Sequence, residues 1–187
     1  MQIERLAIPG VIQITPPRHG DHRGYFSVTY NRDDLASLGI DADFSQDNQS
    51  WSAAAGTVRG LHFQHPPAEQ AKLVRVVQGR VLDVVVDARR GSPAFGQYIK
   101  SELSAENGAQ IFVPRGCLHG FVTLDADSVV QYKVDNDYAP GLDASLRWDD
   151  PELDIDWGID RSTATLSEKD ANGISWAEFD TPFRFGE

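Results

Sequence analysis

Runs of β-branched and aromatic residues recur from one end of this chain to the other. They fall at 11–15, 24–31, 44–51, 57–64 and 72–78, then at 80–87, 95–103, 109–114, 119–124 and 128–135. Such side chains fit a pleated, half-buried strand, and the Gly, Pro, Asn and Asp residues between the runs turn the chain back. Gln78-Gly79 joins two strongly apolar runs and reads as a hairpin turn. A single short helix is expected near 31–38, with Asn31 or Asp33 to cap it and Gly39 to stop it. Beyond Trp157 the pattern is mostly irregular. No repeat, low-complexity tract or linker interrupts the 187 residues, so positions 1–187 read as one domain long enough to bury a substantial core. Many short strands with turns between them predict a mainly β sandwich or jelly roll.

Alternation within strands gives some side chains a direction. Val130, Tyr132 and Val134 share one face of their strand, and Gln131, Lys133 and Asp135 share the other. Tyr132 therefore turns inward with the valines, and Lys133 turns towards water. In 72–78, Lys72 shares a face with Val74 and Val76, but Leu73 and Val77 lie opposite with Arg75, so alternation does not say which face is inward.

Charge and cysteine content exclude several functions. With 17 basic against 28 acidic residues the net charge is −11, which opposes general nucleic-acid binding, a process that neutralises phosphates with a basic surface. A site for an anionic ligand must then rely on a few local cations working against the overall field. No apolar run approaches the roughly 20 residues of a membrane-spanning helix. The first twenty residues lack the apolar core of a secretory signal. Cys117 is the only cysteine and so has no partner for an internal disulfide, which makes the cytosol the expected compartment.

Polar residues concentrate at four places within this apolar framework: residues 21–24, residues 59–62, Lys72, and residues 114–120. Each has an ordinary structural reading when taken alone. Arg23 and Arg59 suit solvated strand edges, His62 and His119 suit paired structural histidines, and Tyr132 suits a core tyrosine. Lys72 suits a strand start with its ammonium in water, and Asp170 fits the fourth position of a capping box over 167–170.

Together these residues belong to a longer series. DHRGYF at 21–26, QDNQSWS at 46–52, GTVRGLHFQ at 56–64 and the long segment 72–96 come first. FVPRGCLHGFVTL at 112–124, QYKVDNDYAP at 131–140, WDDPELDIDW at 148–157 and LSEKD at 166–170 follow. In order and content the series resembles the dTDP-4-dehydrorhamnose 3,5-epimerase family, over about 5–170. The resemblance implies a cupin-like double-sheet jelly roll with a few short helices. It also implies a cytosolic homodimer whose N-terminal strands are exchanged with the partner, a C-terminal tail packed over the barrel, and no cofactor or metal. It implies His62 as a base oriented by Asp170, Lys72 near the ketone oxygen and Tyr132 as the acid. By the same resemblance, Arg59 and His119 contact substrate. Arg23, Phe26, Gln46, Asn48, Tyr138 and Asp143 hold a nucleotide-diphosphate sugar or line its path. Two positions depart from the family: Val28 stands where a glutamate is usual in R-G-x-F-x-E, and Asp143 where a glutamate is common.

The chemistry fits these residue types. Inverting a carbon beside a ketone means removing its proton, passing through an enolate and returning a proton to the other face. An imidazole steadied by a carboxylate suits the removal, and an ammonium opposes the charge on the enolate oxygen. Arg59 and His62 are three residues apart, which places them on opposite sides of a regular strand. If both enter one pocket, a bulge near Gly60 is expected. Two other classes compete with this reading. A metal-dependent cupin needs an H-x-H pair, whereas His62 and His65 are separated by two residues, which puts them on opposite faces of a strand, and are followed by Pro66 and Pro67. A non-catalytic sugar-binding module would be free to lose its base or acid, yet His62, Lys72, Tyr132 and Asp170 are all present. Within the family, an enzyme inverting only C3 or only C5 remains the alternative to one inverting both.

Overall fold

The computed structural model describes residues 1–186. Its strands are β1 (Gln2–Arg5), β2 (Ile12–Thr15), β3 (His19–Asp21), β4 (Gly24–Phe26), β5 (Gln46–Ser52), β6 (Val58–Gln64) and β7 (Lys72–Gln78). They continue as β8 (Arg80–Asp87), β9 (Tyr98–Ser104), β10 (Gln110–Val113), β11 (Cys117–Thr123), β12 (Ser128–Val134) and β13 (Asp143–Ser145). Two short helices, α1 (Arg32–Ser37) and α2 (Glu168–Ala171), complete the secondary structure with one 3-10 turn, Arg161–Thr163. A six-stranded sheet ordered β1-β2-β10-β7-β12-β5 faces a five-stranded sheet ordered β13-β6-β11-β8-β9, and β3 and β4 form a separate hairpin. This is a cupin-like double-sheet jelly roll. Among the described residues, no helix is long and apolar enough to cross a membrane.

Three apolar layers hold the sheets in place. Val74, Val76, Val81, Val85, Ile111 and Phe121 fill the space between them. Outside the five-stranded sheet, Leu61, Phe63, Leu118 and Val122 pack with Trp148, Trp157, Phe179 and Phe183 from the C-terminal region. Outside the six-stranded sheet, Ile12, Ile14, Leu73 and Phe112 pack beneath Leu35 of α1. The third layer explains why alternation left β7 ambiguous. Leu73 is buried on the outer side under α1, while Lys72, Val74 and Val76 face the barrel interior.

Local chemistry explains the element ends. Asn31 caps α1 by accepting hydrogen bonds from the backbone N–H groups of Asp33 and Asp34, and Gly39 ends it at a positive φ of 82°. The run expected as a strand over 24–31 is a strand only through Phe26, after which the chain crosses the outer face of the six-stranded sheet. Three strands had no counterpart in the sequence pattern: β1, β3 and β13. β1 and β3 are wholly exposed, so apolar alternation never marks them.

Candidate active site

One cavity of about 310 Å³ gathers His62, Lys72, Tyr132, Gln46, Asn48, Tyr138 and Asp143. Its two walls are the two sheets. β5, β7 and β12 of the six-stranded sheet bring Asn48, Lys72 and Tyr132, whereas β6 and β13 of the other sheet bring His62 and Asp143. The imidazole and the phenol therefore approach the cavity from opposite sides.

β6 delivers Arg59 and His62 to the interior by breaking its own alternation. Val58, Leu61 and Phe63 face the outer core, so two consecutive positions, Gly60 and Leu61, fall on the outer side. The pairing of β6 with β11 shifts register between His119 and Phe121, opposite this break. Gly60 has φ 137°, and a Cβ there would lie 2.5 Å from the Cα of Gly120. Only glycine fits this close crossing. The irregularity expected near Gly60 is present.

His62 donates Nε2–H to Asp170 Oδ1 at 2.5 Å, which leaves Nδ1 as the lone-pair nitrogen. Burial holds the imidazole below the usual histidine value, with the Asp170 bond pulling the other way. His62 is thus neutral and ready to accept a proton near neutrality. Burial pushes the Asp170 carboxyl up, but hydrogen bonds from His62, from Ser167 and from the Gly60 N–H outweigh it and leave Asp170 more acidic than usual. Ser167 caps α2 and donates its hydroxyl to Asp170 Oδ2 at 2.8 Å. Asp170 thus has two attachments, its carboxylate meeting His62 and Ser167 and its backbone N–H capped by the Ser167 hydroxyl.

Lys72 is buried at the inward start of β7 rather than solvated. Burial lowers its pKa to about 8, against the opposing pull of Asp143 and Asp83. Burial also raises the Tyr132 phenol, Arg59 opposes that rise, and Asp143 and Tyr138 add to it. Tyr132 therefore carries its proton at neutral pH. Arg59 does not line this cavity, although its charge reaches Tyr132, and it is held by Ser52 Oγ at 3.2 Å and by the Trp51 carbonyl at 3.1 Å. At the mouth, Tyr138 donates to Asp143, which also pairs with Lys169. Gln46 donates to Asn48 at 2.6 Å.

His119 lies beside His62 in register but deeper in the barrel, bonded through Nε2 to Asp83 Oδ2 at 2.8 Å. Arg23 and Phe26 stand away from this cavity. They sit on the exposed β3–β4 hairpin, where Arg23 pairs with Asp21. Phe26 and Val28 instead border a second groove of about 540 Å³ that shares Asn48 and Tyr132 with the first cavity. Lys169, Gln70 and Asp83 belong to the site region without having been read from the sequence. Asp83 left a usable signal: a carboxylate inside the apolar run VLDVVVD, on the face of Val81 and Val85. Among the described residues no group of three or more His, Cys, Asp or Glu side chains is arranged to hold a metal ion. His65 packs edge-on against Phe63 in the outer layer, while His62 turns into the barrel. The pair does not fit a cupin metal site.

The same arrangement has relatives among known proteins. Residues 5–178 match the family model described as dTDP-4-dehydrorhamnose 3,5-epimerase. A dTDP-4-dehydrorhamnose 3,5-epimerase of Sinorhizobium fredii is 46% identical over 185 residues, covering 99% of this chain and 94% of the relative. A solved dTDP-6-deoxy-D-glucose-3,5-epimerase of Legionella pneumophila, in complex with dTDP-4-keto-L-rhamnose, superposes with a TM-score of 0.94. It is 38% identical, and the match covers 100% of this chain and 99% of that one. A 3'-monoepimerase of Streptomyces bikiniensis in complex with dTDP-quinovose superposes with a TM-score of 0.85 at 34% identity, covering 92% and 86%. By sequence over nearly its whole length and by fold, the chain belongs to the dTDP-4-dehydrorhamnose 3,5-epimerase family.

Proposed function

We propose that this enzyme inverts C3 and C5 of a dTDP-linked 4-keto-6-deoxyhexose, turning dTDP-4-dehydro-6-deoxyglucose into dTDP-4-dehydrorhamnose. The observation that carries the reading is the His62–Asp170 dyad facing Tyr132 across a single cavity, with a buried ammonium on its wall. His62 Nδ1 takes the proton from the carbon beside the ketone, and the bond's electron pair moves into an enolate. The charge that gathers on the ketone oxygen is met by Lys72 in a site where water is sparse and electrostatic help is strong. Tyr132 then returns a proton to the opposite face, and both groups reset with solvent. The ketone at C4 acidifies both neighbouring carbons, so one base and one acid serve both inversions.

Further contacts complete the proposal. The diphosphate meets Arg59 from this chain, and His119 contacts the substrate. The β3–β4 hairpin, with Tyr25, Phe26 and Val28 exposed, reaches into a second copy, so that Arg23 and Phe26 hold the nucleotide of the neighbouring subunit. The enzyme works as a cytosolic homodimer without a cofactor. The similarity to a 3'-monoepimerase supports a second reading, inversion at C3 alone, by the same base and acid in a differently shaped pocket.

Solvent deuterium incorporation, read carbon by carbon on a dTDP-4-keto-6-deoxy sugar, tests both readings. Label with inversion at C3 and C5 supports the main proposal, and label at C3 alone supports the second. No label at either carbon overturns the epimerase reading.

A further inference from the structure

Asp83 is wholly buried on the inward face of β8, and its two oxygens live differently. Oδ2 accepts the His119 Nε2–H at 2.8 Å, whereas Oδ1 is enclosed and has no hydrogen-bond partner among the described residues. A buried carboxylate oxygen left unpaired is costly, and native folds rarely keep one without a use. Across the barrel interior, on the opposing sheet, lies Lys72, also buried and facing inward. Its ammonium forms no ion pair with any described carboxylate, although the Asp83 charge reaches it.

We infer that Asp83 is a positioning residue for the cation of the site: its unpaired oxygen holds Lys72 as an ammonium aimed at the substrate, while its bonded oxygen fixes the tautomer of His119. The inference rests on the proposed role of Lys72 at the ketone oxygen and deepens it. Several charged or titratable groups surround Lys72. His62 comes from β6, Asp83 from β8, Tyr132 from β12, Asp143 from β13 and Lys169 from α2, while Glu69, and Cys117 of β11, line a small cavity beside it. Asp143 is already engaged by Lys169 and Tyr138. Among the described residues two carboxylates keep a buried oxygen without a partner, Glu69 and Asp83, and of these it is the Asp83 charge that bears on Lys72. An ammonium is charged below its pKa, so losing a neighbouring negative charge moves that pKa down. At mildly alkaline pH the site then loses its cation.

Lysine-labelled protein followed by carbon NMR reads this directly, with the Lys72 signal assigned by its absence in Lys72→Met. In Asp83→Asn, which keeps the size of the side chain and an acceptor for His119, the Lys72 midpoint is expected to fall by about one pH unit or more. Asp83→Ser removes the same charge with a smaller side chain and is expected to shift it likewise. The alkaline limb of the deuterium-exchange rate should move down by the same amount, with exchange at pH 8 lower by about fivefold or more and little change at pH 6. An unchanged Lys72 midpoint in either folded variant overturns the inference. If Lys72→Met retains wild-type exchange, the role of Lys72 in the reaction fails instead, and the titration still reports the coupling separately.

Discussion

Two histidine–carboxylate pairs sit on neighbouring strands of one sheet, and they are built for different work. His62 and His119 are register partners on β6 and β11, and each gives its Nε2–H to an aspartate. The His62 side chain is 31% exposed at the cavity, and that of His119 is 8% exposed within the barrel. Asp170 has both oxygens bonded, one by His62 and the other by Ser167. Asp83 has one oxygen bonded and one free. On the proposed mechanism, pairing alone does not make a base. A base needs its second nitrogen open to substrate and a carboxylate held from behind. The deeper pair is more enclosed and keeps an unpaired carboxylate oxygen.

Asymmetric loss of activity would sharpen this comparison most. His62→Asn should lower deuterium exchange at both carbons by about 10²–10⁴-fold, the usual worth of a general base. His119→Asn should mainly raise KM, leaving exchange in saturating substrate within about tenfold. Equal losses of exchange in the two folded variants would break the distinction. Tyr132→Phe belongs to the same experiment. With no acid on the far wall, label should still enter while inversion falls, and unchanged double inversion would reduce Tyr132 to a structural role.

Breaking the strand that presents His62 comes next in size. Gly60→Ala places a Cβ 2.5 Å from the Gly120 Cα at a φ of 137°. The loss should reach about 3 kcal/mol or more, or folding should fail outright, as chemical denaturation will read. A smaller loss would show that β6 and β11 can part here without consequence.

The cation between the two pairs has an energetic cost of its own. Lys72 titrates near 8 when folded and near 10.5 when free, so the unfolded chain binds more protons between those values. Stability should therefore rise as pH climbs from about 8, with the full difference worth about 3 kcal/mol. Lys72→Met should abolish that rise. At pH 7 it should stabilise the fold by about 1–2 kcal/mol, less than the full amount because Asp83 and Asp143 lose a counter-charge. Melting curves at pH 7 and 9 check the sign. A destabilised Lys72→Met would mean that the ammonium supports the fold rather than burdening it.

How much of this was legible beforehand follows from where each element lies. β7 and β8 match their sequence runs residue for residue because both are strongly apolar and a glycine turn separates them. The break at Gly60 was foreseeable from the spacing of Arg59 and His62, since period two cannot put both on one face. β1 and β3 were invisible because neither buries a face. Lys72 could not be oriented because α1 covers the outer side of β7, so apolar residues lie on both faces. Lys169 depends on where the C-terminal chain returns to the barrel, which no local pattern states. Asp83 was readable as a lone carboxylate in an apolar run. Its free oxygen was not, because that depends on what the opposing sheet brings.

The smallest effect tests the support behind the dyad. Ser167 both caps α2, accepting the Asp170 backbone N–H at 3.2 Å, and donates to Asp170 Oδ2 at 2.8 Å. Ser167→Ala removes both bonds and brings Asp170 closer in character to Asp83, with His62 and the Gly60 N–H as its remaining partners. Loss of a cap of this kind costs about 1 kcal/mol. Asp170 is more acidic than usual partly because of this hydroxyl, so its carboxyl should protonate more readily once the hydroxyl is gone. A carboxylate with a depressed folded pKa contributes stability above its unfolded value and loses it as pH falls through the folded value. The variant should therefore show a weaker acid-side dependence of stability than the wild type. His62 would keep its partner, so exchange should fall only severalfold, with the fall reflecting a less firmly held imidazole. A loss as large as that of His62→Asn would mean that the serine, and not the aspartate alone, sets the orientation of the base. No loss at all would mean that Asp170 needs no support from behind, and the contrast between the two pairs would then rest on exposure alone.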